Sequence, residues 1–112
     1  MREIKFRVFA KDERFPKGKI HYPDTLTEID EVMDQINTTD ISLMQYTGLL
    51  DHNGKEIYEG DIIKTDFQKN AVVSFENGCF MIGGKRGISI DHYLNSGLQV
   101  IGNIHENPEL LT

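Results

Sequence analysis

Asn53-Gly54-Lys55-Glu56-Ile57-Tyr58-Glu59-Gly60-Asp61-Ile62-Ile63 is the stretch whose reading settles most of the fold. Asn-Gly is the strongest short hairpin signal, because both residues tolerate positive φ. Asp51 to Lys55 therefore reads as a turn, followed by Ile57 and Tyr58 in a strand. Gly60 interrupts, and the apolar parity shifts across it, which marks a bulge or the start of a new strand. Residues 61–66 make that strand, with Ile62 and Ile63 inside it. Downstream the pattern repeats. Residues 68–70 turn, 71–75 form a strand, and Asn77-Gly78 makes a second hairpin into 80–82. Gly83-Gly84-Lys85-Arg86-Gly87 is a loop, residues 88–90 and 99–104 supply two more strands, and 95–97 turn between them. Asn107-Pro108-Glu109 reads as a helix start, with Asn as cap and Pro at the first helical position.

Upstream of the Asn53-Gly54 turn, residues 43–46 form a short strand. Residues 25–37 change period: Leu26, Ile29, Val32, Met33 and Ile36 share one helical face. Thr25 and Glu28 have capping-box spacing, and Glu28, Asp30, Glu31 and Asp34 suit the positive end of a helix. At the N-terminus Ile4, Phe6 and Val8 alternate with Lys5 and Arg7, the period of a half-buried strand with its basic residues facing solvent. A turn-rich stretch with Pro16 and Gly18 leads to a short strand over 19–22.

Five short strands from residue 61 onward, joined by tight turns, predict a closed barrel, since an open sheet leaves unpaired edges. The expectation is a mainly β, α+β protein. A C-terminal five-stranded SH3-like barrel would carry an N-terminal strand and one amphipathic acidic helix packed on it. The 112 residues make one domain by length, with an α+β element over 1–42 and the barrel and tail over 43–112.

The bulk numbers exclude several classes. The longest apolar run is Cys79-Phe80-Met81-Ile82, far short of the about 20 residues a membrane helix needs. Met1 to Arg7 has no signal-peptide core, so the expected location is the cytoplasm. Cys79 is the only cysteine; no intrachain disulfide can form, and the expected role of Cys79 is a small core hydrophobe. The charge is uneven. Residues 1–20 hold seven basic groups against three acids, net +4, leaving −10 for residues 21–112 within the chain's −6.

No catalytic set emerges. His21, His52, His92 and His105 lack metal-ligand spacing, so neither a metal nor a cofactor is expected. Asp91 and His92 are adjacent, but neighbours on a strand point to opposite faces. G-x-S-x-G is absent. The 83–87 loop fails the phosphate-loop pattern, which needs Gly where Cys79 stands and Ser or Thr where Arg86 stands. Glu56, Glu59 and Asp61 surround Gly60, and acids around a glycine at a strand entrance are ordinary turn chemistry.

Three blocks carry a family resemblance: Arg2-Glu3-Ile4-Lys5-Phe6-Arg7, then Met44 to Leu49 with Asn53 to Ile62, and finally Val100 to Ile104 with Glu106 to Leu111. Together they resemble the YopX family, small proteins found mostly in bacteriophages and prophages of Gram-positive hosts. Phe9 stands where the family usually has tryptophan, Leu50 where a charge is usual, and His52 near a usual Lys; residues 10–42 match least. The resemblance implies an SH3-like barrel with a small N-terminal element, and it brings no catalytic residue.

The expected function is a phage or prophage accessory protein, not an enzyme, that binds a host or phage protein or itself. The alternative is a nucleic-acid module, with Lys85, Arg86, Arg2, Lys5 and Arg7 on the phosphates. Tyr46 and Tyr58 can reach the surface and touch a partner, though neither is assigned to a site.

Overall fold

In the computed structural model the described residues are 4–23, 31, 41–64, 70–83, 88–90 and 97–111. Among them run nine strands: β1 (Phe6–Ala10), β2 (Lys19–His21), β3 (Ile41–Leu50), β4 (Glu56–Tyr58), β5 (Asp61–Lys64), β6 (Ala71–Glu76), β7 (Cys79–Ile82), β8 (Ile88–Ser89) and β9 (Gln99–Asn103). A 3-10 turn (Pro108–Leu111) follows. One sheet has the order β2-β1-β3-β4 and the other β8-β7-β6-β5-β9. The chain divides into two compact units, Met1–Tyr46 and Thr47–Thr112, with the boundary inside β3.

Each unit has its own small core. In the first, β1 lies between β2 and the first half of β3, both antiparallel to it. Val8 and Ala10 form its buried cluster. In the second, Ile57, Ile63, Val73, Phe80, Ile82, Ile90, Leu98 and Val100 pack together. A fully buried aliphatic side chain of this kind contributes about 1.5–3 kcal/mol, so this cluster dominates the unit.

The turns read at Gly54, Gly60 and Asn77-Gly78 are present, and those read at 68–70, 83–87 and 95–97 fall largely outside the described residues. Asn77 and Gly78 both take positive φ, 52° and 81°, and close a two-residue hairpin that sets Glu76 opposite Cys79. Gly54 has φ +82° in the 51–55 turn. Gly60 ends the β4–β5 turn, so β5 starts afresh at Asp61, while the register irregularity lies further on, between Ile62 and Ile63 against β9.

The α+β expectation is overturned. Among the described residues the class is all-β, in two antiparallel sheets. The helical stretch 25–37 lies outside the described residues apart from Glu31. The N-terminal segment does not add one strand to a barrel; β1 acquires two partners of its own. Nor do the five strands from residue 61 close. Their pairing is linear, ending at β8 and β9. The case for closure rested on costly edges, but β8 is two residues long, and so short an edge offers little backbone to protect.

Side-chain burial departs from expectation at four residues. Arg7 is 3% exposed instead of facing solvent, because both faces of β1 are covered: Phe9 on its own face is buried, as are Val8 and Ala10 on the other. Cys79 is exposed rather than in the core, on the first residue after the hairpin turn. Tyr46 and Tyr58 are both buried. The C-terminal helix start is a 3-10 turn, in which Leu110 N donates to Asn107 O. The Asn107 side chain accepts from Asn103 N instead of capping that turn.

Candidate functional site

The carboxylates around the 51–61 turns are the first group to test for chemistry. Asp51 is 8% exposed. Its Oδ1 accepts the amides of Asn53 and Lys55, both at 2.8 Å, which folds the chain over the left-handed Gly54. Its Oδ2 accepts Val100 N at 2.9 Å, tying the turn to β9. His52 N donates to Leu98 O beside it. Burial alone raises the Asp51 pKa. The amides of Val100, Lys55 and Asn53, with the Lys55 charge, outweigh burial and hold the carboxyl below its ordinary value of 3.8.

Asp61 is as fully buried as the core isoleucines, and its Oδ2 accepts Tyr58 N at 2.8 Å across the Glu59-Gly60 turn. Gly60 N donates to Val73 O, and Gly60 O accepts Ile104 N. Thr47 Oγ1 donates to Ile57 O at 2.8 Å and accepts Leu49 N at 3.1 Å beside the left-handed Gly48. Asn103 Oδ1 accepts the amides of His105 and Glu106, and its Nδ2 donates to Glu106 Oε1. A Cβ on Gly102 would lie 2.6 Å from Asn107 Oδ1, so only glycine fits there. These buried polar groups close turns: the bonds described here run to main chain or within the same loop.

The remaining candidates are basic or histidine. Lys5 is half-buried with its Nζ 4.9 Å from the Tyr46 ring centre. Arg7 is buried opposite Met44. Arg2, Lys85 and Arg86 lie outside the described residues, as do Asp91 and His92. The structure therefore does not assemble these five basic residues into one surface among its described residues. His21 is half-buried with its Nε2 enclosed and without a hydrogen bond among the described residues. Burial pushes its pKa below the ordinary 6.5, and the charges of Lys19 and Arg14 push the same way against Asp12. His52 is exposed. Among the described residues no group of three histidine, cysteine or carboxylate side chains has metal-binding geometry.

Sequence reading missed the reach of Asp51. Its partner Val100 lies 49 residues away, and no local pattern signals such a contact. The Asp51-x-Asn53-Gly54 spacing does signal the local half of it.

Strands joined by glycine turns, with buried carboxylates and amides bonded to main chain, define a small all-β protein over the described residues. The chain belongs to the YopX protein family, which it matches over residues 5–112. Its fold is similar to that of the crystal structure of protein EF1440 from Enterococcus faecalis, at 24% identity and a TM-score of 0.60. It is also similar to the crystal structure of protein yopX from Bacillus subtilis, at 20% identity and a TM-score of 0.61. Each comparison covers 100% of both chains, and at these identities the likeness is one of fold. No curated protein matches the chain. No helix among the described residues is long and apolar enough to cross a membrane.

Proposed function

We propose that this YopX-family protein is a non-catalytic binding module, of phage or prophage origin, that acts by contact with another protein or with a second copy of itself. The observation that supports this reading is the first half of β3. Leu43 pairs with Val8 and Ile41 with Ala10, so all four share one face of the sheet. Val8 and Ala10 are buried, yet Leu43 is 56% and Ile41 36% exposed. Neighbouring apolar side chains left in water on a strand cost solvation that contact with an apolar surface relieves, by about 1.5–3 kcal/mol for each side chain fully covered.

The test is sedimentation equilibrium of the protein together with a crosslinking pull-down from bacterial lysate. The expected result is association or capture that Leu43→Lys weakens at least about tenfold, the equivalent of about 1.4 kcal/mol. A strictly monomeric protein that captures nothing overturns the proposal, as does capture indifferent to Leu43→Lys.

A further inference from the structure

The first half of β3 is paired on one side only among the described residues. In the order β2-β1-β3-β4, its inner side belongs to β1, which spans Ile41 to Gln45. β4 has three residues and returns directly after the 51–55 turn, where Asp51 N donates to Lys55 O, so it runs beside the second half of β3. No described strand lies on the outer side of residues 41–45.

One hydrogen bond fixes which main-chain groups face that side. Tyr46 N donates to Lys5 O at 2.9 Å, which makes Tyr46 a hydrogen-bonded partner in the β1–β3 ladder. Such a ladder alternates. Met44 and Ser42, opposite Arg7 and Phe9, therefore turn their N–H and C=O groups to β1, and Leu43 and Ile41 turn theirs outward. Other strand ends of the two sheets are protected in ordinary ways. β8 has two residues, and β2 has three with an exposed lysine, Lys19. On β9 the Asp51 carboxylate accepts Val100 N, and His52 N donates to the neighbouring Leu98 O. Residues 41–45 read Ile-Ser-Leu-Met-Gln, with no charge and no proline. Ile41 and Leu43, the two residues with outward main chain, are also the exposed apolar side chains there.

We infer that the first half of β3 is a strand-addition seam between two copies of this chain, joined antiparallel about a twofold axis at Leu43. The seam rests on the protein contact proposed for Leu43 and Ile41 and commits that contact to a second copy. In this register Leu43 of each copy donates its N–H to the Leu43 carbonyl of the other. Ile41 stands opposite Gln45, and Ser42 opposite Met44. The segment is its own complement: no like charges meet, and the two exposed leucines cover each other across the axis. An unrelated peptide has to bring an uncharged strand of its own, whereas every copy of this chain already carries one.

Sedimentation equilibrium and thiol crosslinking of the whole chain test the seam. Leu43→Pro removes the outward N–H without touching the β1 ladder, the setting in which an edge strand takes proline. Two hydrogen bonds are lost per dimer, so Leu43→Pro weakens self-association at least about tenfold more than Leu43→Ala, which trims the side chain and keeps the N–H. Crosslinking needs no proline and decides the matter even where that variant unfolds. With the exposed Cys79 replaced by serine, Leu43→Cys sets two thiols on Cα atoms about 5.5 Å apart, and a short bis-maleimide links them. Ile41→Cys, on the same face, lies about 13 Å along the strand from its counterpart and stays unlinked. A dimer that Leu43→Pro and Leu43→Ala weaken alike, or that links through Ile41→Cys as well as through Leu43→Cys, overturns strand addition and leaves the apolar contact standing. A strictly monomeric protein that still captures a lysate protein through Leu43 overturns the second copy alone. A monomer that captures nothing overturns both readings.

Discussion

In the unit Thr47–Thr112 the buried carboxylates Asp51 and Asp61 accept main-chain amides, and Asn103 bonds within its own turn. In the unit Met1–Tyr46 the half-buried His21 keeps an enclosed Nε2 without a hydrogen bond among the described residues. The packed clusters differ in the same sense among the described residues: eight buried side chains in the second unit's cluster, two in the first's. Asp51 and His21 show two ways of tolerating polarity near a small core. One converts a charge into a structural tie. The other keeps a titratable ring neutral.

The largest expected effect follows from the second core. Ile63 is fully buried at its centre, and Ile63→Ala lowers stability by about 2–5 kcal/mol, read by urea unfolding. Asp51→Ala comes next. It strands the Val100 amide beneath β9 and costs about 1–3 kcal/mol; Asp51→Asn keeps an acceptor oxygen and costs less. An Asp51→Ala protein as stable as wild type would remove the main distinction between the units.

Acid sharpens the comparison. The pKa of His21 is depressed in the folded state, so above pH 6.5 the ring is neutral both folded and unfolded. As the pH falls below 6.5 the unfolded chain takes the proton first, and the first unit loses stability until the folded pKa is passed. Asp51, also depressed, keeps its contribution until the pH falls through 3.8 and on toward its lower folded value. Hydrogen exchange followed between these limits shows amides of β1 losing protection while those of β9 hold. His21→Gln removes the early loss. Smallest is Gly54→Ala. Nothing lies within 4 Å of a Cβ there, so only the φ of +82° is penalised, at about 1 kcal/mol.

Much of the second unit is legible locally. Asn53-Gly54, Asn77-Gly78 and the glycine before Asp61 have conformational needs that few residues meet, so their turns announce themselves. The core members Ile57, Ile62 and Ile63 follow from strand placement. The first unit is less legible. Period two along β1 predicts Arg7 in solvent, but both faces of this strand are covered, and Arg7 and Phe9 are as buried as Val8 and Ala10. The basic residues near the chain start read as one cluster, whereas burial removes Arg7, Tyr46 engages Lys5, and the exposed cations are those of the β1–β2 connection.

By itself the chain of residues determined where the backbone turns, because positive φ and the missing Cβ are properties of single residues. It also determined the family, because three motif blocks span nearly its whole length. Tertiary structure alone decided that β1 would gain neighbours on both edges, that the five later strands would pair in a line, and that Asp51 would reach Val100. Those outcomes depend on which distant strand supplies the partner, and that choice is made by the whole packed assembly.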